Sequence, residues 1–95
     1  MPARAREPNK AYRAALGVRV RRARLRGGYT QEELAHLAGI SPPYLGGIER
    51  GEMNPTVEQL VRLSMVLQTQ PGAFLPRLNF TTGKPVQPRS EKKSD

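Results

Sequence analysis

The sequence contains no cysteine and a single histidine, His36. Disulfide bonds and thiolate metal sites are therefore excluded, and a histidine without a second histidine or cysteine nearby is better explained as a surface residue than as a metal ligand. No apolar run approaches the roughly 18 residues that a membrane span needs, and the N-terminus lacks the apolar segment of a signal peptide. These absences predict a soluble, cytoplasmic protein with no membrane partner, no metal and no cofactor.

Positive charge is abundant and unevenly distributed. The 95 residues include 16 Lys and Arg against eight Asp and Glu, which gives a net charge of +8. Nine of the basic residues and only one acidic residue fall in residues 1–28, whereas residues 29–80 hold three basic and five acidic residues. A basic segment of this kind favours a polyanionic partner, although a solvated helix face has a similar composition.

Apolar periodicity, capping residues and helix-ending glycines predict five helices and no strand. The first helix is expected at about residues 10–26. The later helices are expected to begin at or directly after Thr30, Ser41, Thr56 and Pro71. Residues 1–9 and 79–95 are rich in small, charged and proline residues, which predicts a flexible basic arm and a disordered tail. The single all-α domain is therefore expected to span residues 10–78.

Two of the predicted helices have reciprocal capping boxes at their N-termini. Thr30 is followed three residues later by Glu33, and Thr56 by Gln59, so each pair can satisfy two backbone amides. The apolar periodicity of the fourth helix predicts one inward-facing side. The residues predicted on that side are Val57, Leu60, Val61, Ser64 and Leu67.

The second and third predicted helices, joined by a tight turn at Gly39, outline a helix-turn-helix, in which the second helix of the motif enters the major groove. Caps and apolar periodicity alone fit an ordinary small helical bundle equally well. The residues themselves resemble the phage-repressor/Cro-like (XRE-type) family from about residue 16 to 75. The resemblance is carried by LG at 16–17, RVR at 19–21, Arg24, GYTQEELA at 28–35, AGIS at 38–41, YL at 44–45, IERG at 48–51 and NPT at 54–56. The chain length and residues 44–51 are also similar to the controller proteins of restriction-modification operons.

The family resemblance implies a five-helix domain that dimerises through its fifth helix and places two third helices about one DNA turn apart. The residues expected at that dimer interface are Phe74, Leu75 and Leu78. By position, Gln31 would anchor a phosphate, and Arg24 with Glu49 would form a partly buried ion pair between the first and third helices. Asn54 and Thr56 would contact the DNA backbone again, although both are also explained as caps.

The third predicted helix departs from the family pattern. Pro42, Pro43, Gly46 and Gly47 stand where relatives carry polar base-reading residues. Pro43 disfavours helical angles at the residue before it, so the helix is expected to begin one residue late. We predict that the glycines let the helix backbone approach DNA closely, while the prolines and Tyr44 contact thymine methyls or sugars. Sequence choice would then depend on DNA shape; alternatively, the small residues fit a close helix crossing or specific readout has been lost.

The full set of predicted contact residues follows from these arguments. The residues expected to contact DNA are Thr30, Gln31, Ser41, Pro42, Pro43, Tyr44, Gly46, Gly47, Arg50, Asn54 and Thr56, together with Arg4, Arg6 and Lys10 from the basic arm.

One further position departs from the family, because Gln68 stands where relatives often have a glycine closing the fourth helix. A left-handed cap at this residue is expected to be strained or replaced.

The sequence therefore predicts a sequence-specific, double-stranded DNA-binding transcriptional regulator that is homodimeric and associated with the nucleoid. An enzyme is disfavoured, because no nucleophile and base are paired in the sequence. An antitoxin-type regulator, with residues 79–95 folding onto a protein partner, stays open, although Phe80 and Val86 are the only apolar anchors proposed there. A nonspecific nucleoid-type binder also stays open and would show steep salt dependence without sequence preference.

Overall fold

The computed structural model of the protein describes residues 10–77. This part of the chain contains four α-helices and one short 3-10 helix, and no strand. The elements are α1 (Lys10–Gly27), α2 (Gln31–Ala38), α3 (Pro42–Glu49), α4 (Val57–Leu67) and the 3-10 helix (Pro71–Phe74). The predicted arm at residues 1–9, the predicted tail at residues 79–95, and Arg4, Arg6 and Leu78 lie outside the described residues and stay predictions.

Local capping explains where α2 and α4 begin. The Thr30 hydroxyl accepts a hydrogen bond from the Glu33 amide at 3.0 Å, and the Thr30 amide donates to the Glu33 carboxylate at 2.9 Å. Thr56 and Gln59 repeat this reciprocal arrangement at the start of α4. Both predicted capping boxes are therefore confirmed, and each satisfies two amides that have no partner within the helix.

The start of α3 differs from the prediction. Ser41 is the N-cap and its hydroxyl accepts from the Tyr44 amide at 3.2 Å, but the helix already includes Pro42. The expected one-residue delay is therefore wrong. Prolines at the first two helical positions lack only amides that would have no helical partner, and their fixed φ suits a helix.

The fifth predicted helix is a four-residue 3-10 turn rather than an α-helix. It opens on Pro71, as predicted, and ends at Phe74; the next residue, Leu75, is extended with φ −83° and ψ 128°. Leu75 precedes Pro76, and a proline pushes the residue before it out of the helical region. The 3-10 helix is therefore not continued by further helix through residue 77, where the described chain ends.

Each helix contributes apolar side chains to one core. The buried apolar residues are Leu16, Val20, Leu34, Ala35, Ala38, Leu45, Ile48, Leu60, Leu63 and Phe74. Gly17 lets α1 cross α3 closely, because a Cβ at this position would clash with the backbone carbonyls of Ile48 and Glu49. This crossing fixes α3 against α1 and so determines which side of α3 faces outward.

The inward side predicted for α4 is partly wrong. Leu60 and Ser64 are buried as expected, but Leu63 replaces Val57 and Val61 in the core. Val57 is 76% exposed. Successive helix residues are rotated by about 100°, so with Leu60 at the centre of the buried side Val61 is turned toward its edge.

Gln68 ends α4 in the left-handed conformation, with φ 55° and ψ 49°. It is the only non-glycine residue with a positive φ in the described chain. Its amide still donates to the Ser64 carbonyl, so the usual glycine-type helix ending is kept without a glycine. The prediction for Gln68 was a left-handed cap that is either strained or replaced by another ending. The structure has the strained left-handed cap.

Candidate nucleic-acid interface

The side of α3 that faces away from the core is the candidate interface. Leu45 and Ile48 are fully buried and fix the inward direction of the helix. At about 100° per residue, the opposite arc holds Pro43, Gly46, Gly47 and Arg50. We call these four residues the outward side of α3. Pro42 lies beside them and, like Pro43, is exposed.

A buried ion pair holds α3 in place beneath this surface. Arg24 Nε and Glu49 Oε2 are 2.7 Å apart, and a second bond joins Arg24 Nη2 to Glu49 Oε1 at 3.1 Å. Only 9% and 3% of the two side chains are exposed. Arg24 also donates to the Tyr29 carbonyl at 2.9 Å, and Gln31 Nε2 donates to Glu49 Oε1 at 2.9 Å. This network ties α1, the α1–α2 turn and the start of α2 to the end of α3.

Gln31 is thus part of the network rather than a plain surface residue. Its side chain is half-buried, and one amide hydrogen is used by Glu49. The other amide hydrogen is available in principle, since a primary amide carries two donors. The predicted phosphate contact of Gln31 therefore stays a prediction, made from a side chain that the ion pair already orients.

Tyr44 also has a structural partner that sequence reasoning missed. Its hydroxyl donates to Gln59 Oε1 at 2.9 Å, the same oxygen that accepts from the Thr56 amide at 2.9 Å. The half-buried ring therefore connects α3 to the start of α4. Its hydroxyl proton is used within the protein, so the predicted contact with sugars or thymine methyls would come from the ring.

Gly46 and Gly47 are covered by other side chains of the protein. A Cβ at Gly47 would lie 2.7 Å from Met53 Cγ, and a Cβ at Gly46 would lie 3.0 Å from Arg50 Nη1. Both glycines are buried. The prediction that their backbone lies open for a close approach to DNA is therefore wrong. Met53, which lies in the α3–α4 loop, was not singled out by sequence reasoning. The one signal for its position is a long apolar side chain in a polar loop that follows two glycines.

Arg50 forms an exposed pair with Glu52 at the C-terminal end of the outward side of α3. Two hydrogen bonds of 3.1 Å join the guanidinium to the carboxylate. The side-chain hydrogen bonds, and then the opposite charges, raise the pKa of Arg50 and lower the pKa of Glu52. Both side chains are more than half exposed, so the pair orients the guanidinium without burying it.

The remaining predicted contact residues lie at the helix starts and in the loop before α4. Thr30, Ser41 and Thr56 are exposed N-caps, Asn54 is exposed, and Lys10 is the exposed first residue of α1. Each of these residues is therefore accessible to a ligand from outside the domain.

Residues 20–74, more than half of the chain, match the model of the HTH_3 helix-turn-helix family. The chain belongs to this family. It is 42% identical over 55 residues to the HTH-type transcriptional regulator y4dJ of Sinorhizobium fredii, over 58% of this chain and 71% of y4dJ. It is 40% identical over 53 residues to the transcriptional regulator SinR of Bacillus subtilis, over 55% of this chain but only 48% of SinR.

Solved structures of HTH_3-like regulators agree with the fold. The controller protein C.AhdI of Aeromonas hydrophila superposes with a TM-score of 0.67 at 34% identity, over 68% of this chain and 98% of C.AhdI. SinR in complex with DNA superposes with a TM-score of 0.60 at 35% identity, over 62% of this chain and 95% of the solved chain. Among these relatives, y4dJ and SinR are HTH-type transcriptional regulators and C.AhdI is a restriction-modification controller protein.

Within residues 10–77, no three His, Asp or Glu side chains come together as metal ligands. In the same residues, no helix is both long enough and apolar enough to cross a membrane.

The predicted dimer-interface residues separate in the structure. Phe74 is 1% exposed within a single chain and packs in the core, so its assignment to a dimer interface is wrong. The 3-10 turn directs this ring inward against α1 and α4 instead of presenting it on a helix surface. Leu75 is exposed and keeps its predicted role as a prediction.

Proposed function

We propose that this protein is a sequence-specific transcriptional regulator that binds double-stranded DNA as a homodimer with α3 in the major groove. The observation that carries the proposal is the outward side of α3, which faces away from the core while the Arg24–Glu49 pair fixes the helix from below. Helix-turn-helix proteins present the second helix of the motif in this way. The solved complex of SinR with DNA supports a duplex as the ligand.

Phosphate contacts are assigned to the start of α2 and the loop before α4. The first backbone amides of α2 have no helical acceptors, and Gln31 brings a further donor beside them. Thr30, Asn54 and Thr56 are exposed and add further polar groups. These contacts position the protein on the duplex without reading its sequence.

Base contacts are assigned to α3 itself. Ser41, Pro42 and Pro43 lie at its N-terminal end and Arg50 at its C-terminal end, with the Tyr44 ring at its flank. Arginine is the commonest specific reader of guanine, and apolar groups contact the thymine methyl. The basic residues predicted to add minor-groove or phosphate contacts are Arg4, Arg6 and Lys10.

Dimerisation accounts for how so small a domain would bind specifically. Two copies double the contacts and place their third helices about one DNA turn apart. Leu75 is the exposed apolar residue assigned to this interface, with Leu78 beyond it in the chain. We assign residues 10–78 to the DNA-binding domain, residues 1–9 to a basic N-terminal arm and residues 79–95 to a tail. Sedimentation of the full chain at several concentrations measures the oligomeric state directly.

Selection of bound sequences from a random duplex pool tests the proposed function. The winning duplex and a scrambled duplex of equal length are then titrated with the full chain over a range of salt concentrations. Specific regulators bind their sites at least about 10³-fold more tightly than unrelated DNA. A smaller ratio with a steep salt dependence would identify a nonspecific nucleoid-type binder instead.

A pair of charge variants locates the binding surface. Pro43→Glu puts a negative charge on the outward side of α3 and is expected to weaken binding at least about tenfold through repulsion from the phosphates. Val18→Glu makes the same change in charge at an exposed position of α1 and serves as the matched control. Equal losses in the two variants would contradict the assignment of α3 to the major groove.

A further inference from the structure

The space above Gly47 is filled by a side chain from another segment. Met53 lies in the loop between α3 and α4, and its Cγ, Cε and Sδ would stand 2.7, 3.3 and 3.8 Å from a Cβ built at Gly47. These three distances show that the middle and the end of the methionine both lie over the glycine. A side chain at position 47 and Met53 in this position therefore exclude each other.

Met53 is not a core residue. It is 38% exposed, whereas the core side chains of α3, Leu45 and Ile48, are completely buried. Because Gly47 belongs to the outward side of α3, the exposed part of Met53 adds to that same surface. Pro43 lies one turn before Gly47 on this side, so the two apolar side chains flank the glycine position.

The outward side of α3 otherwise offers little for reading bases. Pro43, Gly46 and Gly47 have no hydrogen-bonding side chain, which leaves the exposed guanidinium of Arg50, paired with Glu52, as the one polar reading group on this side. An apolar thioether beside a proline matches one base feature of the major groove, the C5-methyl group of thymine. The flexible, polarisable methionine side chain adapts its shape to such a contact.

We propose that Met53 is a sequence-determining residue that contacts a thymine C5-methyl group, taking the place of a reading side chain that α3 lacks at position 47. This inference rests on the proposed function. It assigns part of the specificity to the loop after the recognition helix, and it gives Gly47 the role of making room for Met53.

Single thymine-to-uracil replacements in the selected duplex test the contact, since each replacement removes one methyl group and keeps the base pairing. We expect one thymine in each half-site at which the wild-type protein binds the uracil duplex about fourfold more weakly, the affinity equivalent of one buried methyl-sized group. Met53→Ala is expected to bind the thymine and uracil duplexes equally at that position. Met53→Leu, which keeps an apolar side chain, is expected to retain most of the difference.

Met65→Ala is the matched control, because Met65 is a more exposed methionine on α4, 72% exposed, and is not part of the α3–α4 loop. This variant is expected to keep the full thymine-to-uracil ratio. Thermal unfolding of each variant separates a change in contact from a loss of folded protein.

A selective wild-type protein that is indifferent to every uracil replacement, or a Met53→Ala variant that keeps the wild-type ratio, would overturn the inference alone. A wild-type protein with no sequence preference would overturn the proposed function as well.

Discussion

Removing one partner of the Arg24–Glu49 pair is expected to destabilise the domain more than any other polar change. Glu49→Leu leaves the buried Arg24 guanidinium with the Tyr29 carbonyl as its remaining acceptor, and it also removes the acceptor of the Gln31 amide. Breaking a buried pair in this way costs about 3–5 kcal/mol. A folded unit of roughly 70 residues has a free energy of unfolding of only about 3–10 kcal/mol, so the variant is expected to lose at least about a third of that free energy.

The double variant Arg24→Met with Glu49→Leu distinguishes a stranded charge from lost packing. Both charges are then absent and similar volumes are kept, so its cost is expected to be smaller than that of either single variant. The expected remainder is about 1–3 kcal/mol for the polar groups of Tyr29 and Gln31 that lose a partner. The double variant therefore regains part of what Glu49→Leu loses.

Urea denaturation followed by circular dichroism measures these differences across the cycle of single and double variants. The matched control is the exposed pair of Glu58 and Arg62, which lie one turn apart on α4. Glu58 Oε2 and Arg62 Nη2 are 2.7 Å apart. Removing either partner there is expected to cost no more than about 0.5 kcal/mol. If Glu49→Leu costs no more than this control, or if the losses of the two buried single variants simply add, the argument from charge burial is wrong.

Three further predictions concern backbone and surface. Gly46→Ala is expected to stabilise α3 by about 0.5–1 kcal/mol, because the added methyl group meets mainly the flexible end of Arg50. Gly47→Ala is expected to stabilise the helix less, because its methyl group displaces Met53. Gln68→Gly is expected to stabilise the domain by about 0.5–1 kcal/mol by relieving the left-handed cap. Arg50→Gln is expected to raise the pKa of Glu52 toward its ordinary value of 4.5, measured by NMR titration of the carboxyl carbon.

Each of these outcomes has its own check. Equal melting temperatures for the two alanine variants would show that Met53 does not occupy the space over Gly47. Gln70→Gly is the control for the cap, because Gln70 has an ordinary extended backbone and gains nothing from glycine. For the exposed pair, a lowered carboxyl pKa means that its stabilisation is present above the ordinary pKa and is lost as the pH falls through the lowered value. An unchanged Glu52 titration in Arg50→Gln would refute the pairing in solution.

The helices were predictable because their starts and ends depend on neighbouring residues. The capping boxes at Thr30 and Thr56 and the glycine at position 39 act within a few residues, and the sequence shows them directly. The 3-10 ending was also a local matter, since Pro76 prevents a helical Leu75, but the apolar pattern of residues 74–78 outweighed it in the prediction.

The surface over α3 was not predictable in the same way. Whether Gly47 is open or covered depends on where the loop after α3 returns, and no local signal places Met53 over a residue six positions earlier. The bond from Tyr44 to Gln59 likewise joins two helices across 15 residues. Side-chain packing between segments decided both, whereas the pattern of caps and glycines reports only on single segments.

The two ends of α3 differ in the groups that they offer to DNA. At the N-terminal end of α3, Pro42 and Pro43 remove two backbone amides, so this end is a weaker anion site than an ordinary helix start. Arg50 and Met53 both lie at or beyond the C-terminal end. Beyond the contacts proposed for Ser41, Pro42 and Pro43, base reading by this domain would therefore come from the end of α3 and the loop that follows. The buried ion pair at Glu49 lies directly below that end. The same carboxylate that stabilises the fold thus sets the position of the residues proposed to choose the sequence.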